Sequence, residues 1–357
     1  MSPGQSRALA DVRAVPARSH AVLRLPGGIS LRYAPRAALV SALLVLLCGA
    51  AVGLGLFTGP YTIRTSQVID VLLGHGAATD RFIILEQRLP RVCAALLVGA
   101  ALGLSGSLFQ SLSRNPLGSP DVIGFTTGST SGALVVILTG GESATLGIGA
   151  GSVLGGLVTA TAVYLLTASR GVAGNRLLLT GIAVGAMLAS VNDFLITRAD
   201  IESAEEAKAW TYGSLNAITW PYVVPLALAL PVLAALAVPL TRPLTQIEMG
   251  DDTASALGIN IARVRAVSLL LGVVLAGWAI AVAGPIGFLA LAAPQLARRV
   301  VRVPGVPIVS AMLTGAAVLS AADVLAQHLL APFQIPVGLV TGAIGGLYLL
   351  WLVARQR

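Results

Sequence analysis

The chain has 357 residues, of which 56% are hydrophobic and 11% are charged, and its mean hydropathy is +0.87. Soluble domains carry about 25% charged residues, so this composition excludes a soluble globular protein and indicates a polytopic membrane protein. The net charge of +8 does not indicate nucleic-acid binding, because Lys208 is the only lysine and the arginines are scattered between apolar runs. Cys48 and Cys93 both fall inside apolar runs, which argues against a disulfide framework or a thiolate metal site.

Residues 1–36 are basic and contain Pro and Gly throughout, with Asp11 as their only acid. The arginines of this segment are Arg7, Arg13, Arg18, Arg24, Arg32 and Arg36. The segment is too long and too rich in arginine to be the first part of a cleaved signal peptide. We therefore expect a disordered tail that stays in the cytoplasm, followed by a transmembrane domain over residues 37–357.

Ten apolar runs follow the tail, and each predicts a transmembrane helix. They cover residues 37–57, 90–112, 121–139, 144–168, 177–197, 220–240, 267–283, 286–296, 308–327 and 337–353. The eighth run is short for a bilayer that needs roughly 20 residues. Residues 58–89 and the loop with Asp200, Glu202, Glu205 and Glu206 are predicted to lie outside, and the turn 113–120 and the loop 170–176 inside.

The distribution of basic residues predicts how the spans are oriented. Most of the 23 basic residues fall in segments that this topology places in the cytoplasm. The basic residues placed outside are Arg64, Arg81, Arg88, Arg91, Arg198 and Lys208. Because short cytoplasmic loops carry an excess of Lys and Arg, we expect an even number of spans and two cytoplasmic termini.

A polar segment, residues 242–265, separates the sixth and seventh apolar runs, and we call it the knob. Asp251, Asp252 and Thr253 have the chemistry of a helix N-cap and first turn, residues 254–257 can form helix, and Gly258 suits the position just past its end. The chain has no G-x-x-x-x-G-K-[ST] motif and so cannot hydrolyse ATP through a P-loop. We therefore expect the knob to be a surface on which an energy-supplying partner acts.

Glycines spaced by four residues predict close contact between helices. The sets are Gly124, Gly128 and Gly132; Gly147, Gly151 and Gly155; and Gly338, Gly342 and Gly346. Small residues on one helix face let two backbones approach closely in lipid. Packing alone explains such stripes, and a seam that moves during function is the alternative.

A few polar residues lie inside apolar runs, where an acid needs a partner or water. Asn192 and Asp193 lie in the fifth run, and Asp193 is expected either to line a cavity or to bond to a neighbouring helix. Asp323, near the end of the ninth run, is expected to lock a helix end, and Gln110 has a similar structural role.

The residues 103–106 (GLSG) match the pattern of an intramembrane serine protease, with Ser105 as nucleophile and His328 near the end of another span. A match of this length arises easily by chance in a chain with 40 glycines. His20, His75 and His328 are too dispersed for a metal site.

Several motifs, in order along the chain, resemble the iron-siderophore and vitamin B12 ABC-importer permease family, the FecCD type. They are residues 88–91 (RLPR), 99–106 (GAALGLSG), Gln110, 114–120 (RNPLGSP), 210–215 (WTYGSL), 256–258 (ALG), 283–288 (AGPIGF), 322–323 (AD) and 336–338 (PVG). Within the family, residues 109–122, 213–216 and 248–253 are similar to the branch that imports ferric enterobactin. This similarity favours a ferric catecholate as cargo.

The resemblance implies an all-α type II ABC-importer permease with about ten transmembrane helices and no cofactor of its own. It implies a heterodimer with a sister permease, two cytoplasmic ATPase subunits that bind ATP and Mg²⁺, and an extracytoplasmic siderophore-binding protein. Coupling helices are expected over residues 244–260, with Glu248, Met249, Gly250, Asp251, Asp252, Ala256, Leu257 and Gly258 as coupling residues. Arg88 and Arg91 are expected to dock the binding protein. Gln110, Asn115, Asn192, Asp193 and Asp323 are expected to be pathway or structural polar residues.

The chain departs from the family pattern at three positions. Gln327 stands where many members have an arginine that faces the binding protein, Gln295 replaces a usual histidine, and Ala290 replaces a usual glycine. No role is carried over to these positions. An ion-coupled secondary transporter is the alternative function. It needs ionisable residues within the membrane, and Asp193 alone is weak evidence for them.

Overall fold

The computed structural model describes residues 21–24, 30–59, 61–140, 145–168, 174–302, 305–330 and 333–354. Residues 1–20 of the predicted tail, residues 170–173 of the predicted basic loop, and Arg355 and Arg357 lie outside the described part of the chain.

The described residues form a helical bundle with one short strand pair. The helices are α1 (Pro35–Phe57), α2 (Thr65–Leu72), α3 (Ala78–Ser113), α4 (Phe125–Gly140), α5 (Thr145–Ala168), α6 (Gly174–Arg198), α7 (Ile201–Thr211), α8 (Trp220–Ala237), α9 (Thr241–Glu248), α10 (Asp251–Ala256), α11 (Ile261–Ala283), α12 (Leu289–Val301), α13 (Ile308–His328) and α14 (Val337–Ala354). A 3-10 turn, Val238–Leu240, makes α9 a continuation of α8.

The strand pair lies within the segment predicted to be a disordered tail. Strand β1 (Ala21–Arg24) pairs antiparallel with β2 (Ser30–Tyr33). Residues 21–24 and 30–33 thus have regular secondary structure within this segment. The first helix also begins earlier than predicted, at Pro35, because proline is well suited to the first helical turn.

The helices account for the ten predicted spans. Among the described residues, seven helices are long and apolar enough to cross a membrane. The other three predicted spans correspond to the shorter apolar helices Phe125–Thr139 and Val337–Tyr348 and to α12, which has 13 residues. The irregular backbone just before α4 and α12 includes Gly124 at φ +79° and Phe288 at φ +65°. Non-helical backbone at membrane depth is tolerated where protein surrounds it, and both Gly124 and the residues around Phe288 are largely buried.

The second span differs from the prediction, because α3 begins at Ala78 and not near Pro90. The helix passes through a π-helical stretch, Phe82–Arg88, and the Leu89 N–H bonds to the Ile84 carbonyl five residues earlier. Proline lacks an N–H and its ring collides with the carbonyl of an ordinary helical turn. The wider turn accommodates Pro90, so a residue read as a helix start lies inside a continuous helix.

Helices α3, α11 and α13 form the centre of the bundle, whereas α1, α6 and α8 lie at its edge. Small residues bring the central helices together. A Cβ atom added at Gly99 or Gly103 of α3 would collide with backbone atoms of Gly315 or Ala311 in α13, and one added at Gly106 would collide with Ala290 of α12. The replacement of a usual glycine by Ala290 is therefore compatible with this contact, because Gly106 supplies the space.

The predicted close packing of the glycine stripes is confirmed for two sets. Gly128 and Gly132 of α4 lie directly against Gly151 and Gly155 of α5. The third stripe behaves differently: Gly338 contacts the Tyr212 carbonyl, but Gly342 and Gly346 have open space beside them. Within the described chain, most of the stripe on α14 is thus not covered.

The acidic loop predicted after the fifth span contains the helix α7. Asp200 is its N-cap, and its carboxylate accepts hydrogen bonds from the Ser203 N–H at 2.8 Å and the Ser203 hydroxyl at 2.9 Å. These bonds lower the pKa of Asp200, because they favour the charged carboxylate. The cap residue thus sets the start of a helix that the charge pattern alone did not indicate.

Candidate functional site

The knob contains two short helices rather than one. The first, α9, occupies residues predicted to be loop, and it forms because Leu244 and Ile247 give it a fully buried apolar face. The second, α10, has Gly250 as its N-cap at φ +127°, so Asp251 is the first helical residue and not the cap. Most residues disfavour this conformation, which explains the glycine between the two helices.

The predicted end of the knob helix at Gly258 is confirmed. Gly258 has φ +80°, its N–H bonds to the Ser255 carbonyl at 2.9 Å, and the Ile259 N–H bonds to the Ala254 carbonyl at 3.1 Å. These two bonds form a Schellman motif, in which a left-handed glycine closes the helix. The knob therefore has a defined backbone on both sides of α10.

Asp251 ties α10 to two membrane helices. Its carboxylate accepts hydrogen bonds from Nη2 of Arg265, near the start of α11, at 2.9 and 3.0 Å. Nη1 of Arg114, just past the end of α3, lies 3.5 Å from the same carboxylate. Asp251 is thus a bridge within the chain, although its side chain keeps 39% of its surface exposed.

Glu248 makes the equivalent connection from α9. Its Oε1 accepts a hydrogen bond from Nη2 of Arg298, in α12, at 2.8 Å, and the same nitrogen donates to the Ser111 hydroxyl of α3 at 3.0 Å. The knob is consequently joined by charge pairs to α3, α11 and α12, and by a continuous backbone to α8.

Polar side chains beside these pairs line a cavity of about 260 Å³ at the same end of the bundle. Gln110 donates to the Leu291 carbonyl at 2.9 Å, and Asn115 accepts from the Leu117 N–H at 2.9 Å. Gln295 donates to the Pro116 carbonyl and accepts from the Tyr348 hydroxyl at 3.2 Å. Gln110, Asn115 and Gln295 therefore hold helix ends and turns together.

The remaining predicted coupling residues face outward. Met249 is 71% exposed and Leu257 is 60% exposed. Asp252, Ala256 and Gly258 are also exposed, and no charge pair involves Asp252 among the described residues. The predicted set thus divides into acids that brace the knob from inside and an outer face with two large apolar side chains.

At the opposite end of the bundle, Arg91 forms a nearly buried charge pair with Asp323. Arg91 Nε and Nη2 donate to the Asp323 carboxylate at 2.8 to 3.1 Å, and the two side chains are 12% and 3% exposed. Gln327 donates to the same carboxylate at 2.8 Å, and Arg91 Nη1 donates to Gln334 at 3.0 Å. Asp323 thus joins α13 to α3 through Arg91, and Gln327, one turn further along α13, belongs to the same network.

Arg88 is also engaged within the chain. Its side chain is only 8% exposed, and its guanidinium donates to the Leu56 carbonyl at 2.7 Å and to the Tyr61 carbonyl. That Arg88 and Arg91 dock a binding protein stays a prediction, and in this structure both side chains are largely buried and bonded within the chain. Arg88 holds the segment after α1, and Arg91 joins α3 to α13.

The polar residues of α6 lie on two different faces of the helix, one buried and one exposed. Asn192 is buried, and its Oδ1 has no hydrogen-bond partner among the described residues. Asp193 is exposed together with Ser190 and Thr197, whose hydroxyls bond to backbone carbonyls of their own helix. Residues 190, 193 and 197 share one helix face, so α6 has a polar stripe that no described residue covers.

The protease alternative is not supported by the geometry. Ser105 is fully buried and donates to the Gly272 carbonyl at 2.7 Å, whereas His328 is exposed and its Nδ1 lies 2.7 Å from the Val324 carbonyl. A serine nucleophile needs an adjacent base, and here each side chain bonds to a separate backbone carbonyl. Glycines 103 and 106 serve helix packing instead.

Several residues that shape the site are not indicated by the sequence. The charge pairs of Arg114, Arg265 and Arg298 are among them, and so is the role of Asp121 at the start of the third predicted span. The Asp121 carboxylate accepts the Thr126 hydroxyl at 2.6 Å and the Phe288 N–H, which ties the turn before α4 to the start of α12. The position of each arginine near a predicted helix end could have indicated a structural role. No local sequence pattern indicates which acid each arginine binds.

Helices long and apolar enough to cross a membrane, together with a braced polar knob at one end of the bundle, are the features of a membrane transport permease. The chain belongs to the FecCD transport family, which matches residues 30–355.

Permeases of known transport systems are similar to this chain over most of its length. The Ferric enterobactin transport system permease protein FepG of Escherichia coli (strain K12) is 44% identical over 325 residues, which is 91% of this chain and 98% of that protein. The Ferric enterobactin transport system permease protein FepD of the same organism is 33% identical, covering 90% of this chain and 96% of its own length. A solved structure described as an inward-facing conformation of a metal-chelate type ABC transporter is 26% identical with a TM-score of 0.80, covering 89% of this chain and 99% of that chain.

The Arg91–Asp323 pair predicts a specific pattern of stability. Replacing Arg91 by Met, or Asp323 by Leu, should destabilise the detergent-solubilised protein by about 3 kcal/mol or more, because each change leaves one buried charge without its partner. The double variant should lose less than the sum of the two, as measured by thermal or denaturant unfolding. Arg81→Met, at an exposed arginine on the same helix, is the matched control and should change little. Strict additivity would contradict the pairing.

Proposed function

We propose that this chain is the membrane-spanning subunit of an ATP-driven importer of ferric siderophores, with catecholates such as ferric enterobactin as the favoured cargo. The names of the similar permeases support the cargo class. Separate ATPase subunits supply the energy and bind ATP and Mg²⁺, since this sequence lacks a P-loop.

The observation that carries the proposal is the outer face of the knob. Large apolar side chains outside the membrane-spanning helices indicate a protein contact, and Met249 and Leu257 are both mostly exposed there. Met249 directly follows α9 and Leu257 directly follows α10, and these helices are fixed to the bundle by the Glu248–Arg298 and Asp251–Arg265 pairs. An ATPase that binds this face can therefore move the knob as a body and transmit the motion to α3, α8, α11 and α12.

On this proposal the knob is in the cytoplasm, and so are both termini. The excess of arginine at the knob end supports this orientation, because Arg114, Arg242, Arg263, Arg265 and Arg298 all lie in or beside the knob. Residues 37–357 then form one transmembrane domain, with the preceding basic segment on the cytoplasmic side.

A sister permease completes the transport pathway. The exposed stripe of Ser190, Asp193 and Thr197 on α6 is costly to place against lipid, so a second permease and an aqueous path are its natural surroundings. FepG and FepD are two different permeases named for one ferric enterobactin system, and both are similar to this chain, which supports a heterodimer.

A siderophore-binding protein docks at the end opposite the knob. A cavity of about 570 Å³ opens there, bordered by Tyr61, Glu86, Gln87 and Gln334. Arg88 and Arg91 act here as positioning groups, because they hold the segments around the cavity through Leu56, Tyr61 and Asp323.

The outer face of the knob gives the main test. Met249→Asp or Leu257→Asp should lower ATPase copurification and ATP-dependent uptake of ferric siderophore by at least about tenfold, because a charge replaces an apolar contact. Folding should be unaffected, since both side chains are exposed. Leu73→Asp, at a leucine that is 69% exposed at the other end of the bundle, is the matched control for ATPase copurification. Unchanged copurification, or uptake by the purified chain driven by an ion gradient alone, would overturn the proposal.

The stripe on α6 gives a second test. Ser190→Trp should block uptake by filling the pathway, while the complex keeps its ATPase subunits and its size by chromatography. Leu46→Trp, at a residue of α1 that is 69% exposed, should leave uptake unchanged. Dissociation of the two permeases in the Ser190 variant would show that this face is an interface and not the pathway.

A further inference from the structure

An apolar cavity lies between α12, α13 and α14. It has a volume of about 270 Å³ and is lined by Phe288, Leu289, Ala292, Leu296, Val318 and Ile344, among others. The polar groups at its wall are bonded elsewhere: the Thr341 hydroxyl donates to the Gly338 carbonyl at 3.1 Å, and the Tyr348 hydroxyl donates to Gln295 at 3.2 Å. The cavity therefore offers only apolar surface, which suits a hydrocarbon chain.

Exposed arginines stand at the end of this cavity that is nearer the knob. The Arg299 guanidinium lies over the rings of Tyr348, at 5.7 Å, and Trp351, at 5.5 Å. Arg302 Nε bonds to the Arg299 carbonyl at 3.4 Å, and Arg36 Nε, at the start of α1, bonds to the Val300 carbonyl at 2.9 Å. Three cations from two helices thus meet around one helix end.

These arginines have no acidic partner among the described residues, whereas the adjacent Arg298 has Glu248. Cations at the C-terminal end of α12 are favoured by the helix dipole, which explains Arg299 and Arg302 in part. The dipole does not explain why Arg36 of another helix joins them, nor why an apolar cavity opens beside them.

We propose that this cavity and the arginines Arg36, Arg299 and Arg302 form a binding site for an anionic phospholipid. One acyl chain occupies the cavity, and the phosphate lies against the guanidinium groups. Basic pockets between transmembrane helices on the cytoplasmic side bind anionic headgroups, and Tyr and Trp are enriched at that depth of the membrane. Because Arg298 pairs with Glu248 one residue away, the site lies in the leaflet on the knob side.

The site can be tested on the purified complex with phosphatidylglycerol and phosphatidylcholine as probes. Phosphatidylglycerol should raise the unfolding temperature more than phosphatidylcholine and should be retained in native mass spectra. In the double variant Arg299→Gln and Arg302→Gln, affinity for phosphatidylglycerol should fall about tenfold or more, since each arginine near an anionic surface contributes on the order of 1 kcal/mol. The preference over phosphatidylcholine should disappear.

Matched variants separate charge from cavity. Arg242→Gln with Arg263→Gln removes two exposed knob arginines and should leave lipid retention unchanged. Ala292→Phe fills the cavity and should reduce retention of both lipids while all the arginines remain. Equal stabilisation by the two lipids in the unaltered protein would overturn the proposal. It would also be overturned if the Arg299 and Arg302 variant released the ATPase with lipid retention unchanged. Neither result bears on the cargo.

Discussion

Charge pairing at the two ends of a largely neutral bundle is the constraint on which this structure depends. A charge near the hydrocarbon region must be paired, and at one end Arg91 and Asp323 satisfy each other almost out of contact with solvent. At the other end Glu248 and Asp251 satisfy Arg298 and Arg265. Between these ends the helices pack closely at glycine and alanine residues. The relative positions of the helices are therefore set by steric fit in the middle of the bundle and by charge pairs at its ends.

The class and the span order could be read from the sequence, because hydropathy and glycine spacing are local patterns. The closure of α10 at Gly258 was predictable for the same reason, since a left-handed helix end favours glycine. The roles of the arginines were not predictable. Arg91 and Asp323 are separated by 232 positions in the chain, and no local pattern indicates that they meet. The continuation of α3 through Pro90 depends on a π-helical turn, for which the sequence gives no sign.

The same pairing changes how the predicted coupling residues are understood. Glu248 and Asp251 are paired with arginines of the bundle. The exposed members of the set are Met249, Asp252, Ala256, Leu257 and Gly258. A partner that binds the outer face thus acts on helices already fixed to the bundle. Arg36, Arg299 and Arg302 differ from these pairs, because they lie beside an apolar cavity and form no salt bridge with a described acidic residue. We assign their counter-charge to a lipid.

The central claim is that the knob lies on the cytoplasmic side of the membrane, and its accessibility to a labelling reagent measures this directly. In a protein with Cys48→Ala and Cys93→Ala, a single cysteine at Leu257 should react with a membrane-impermeant maleimide in inside-out vesicles stripped of ATPase, and rebinding the ATPase should protect it. Right-side-out vesicles should not be labelled. Labelling in right-side-out vesicles would place the knob outside the cell and contradict the account.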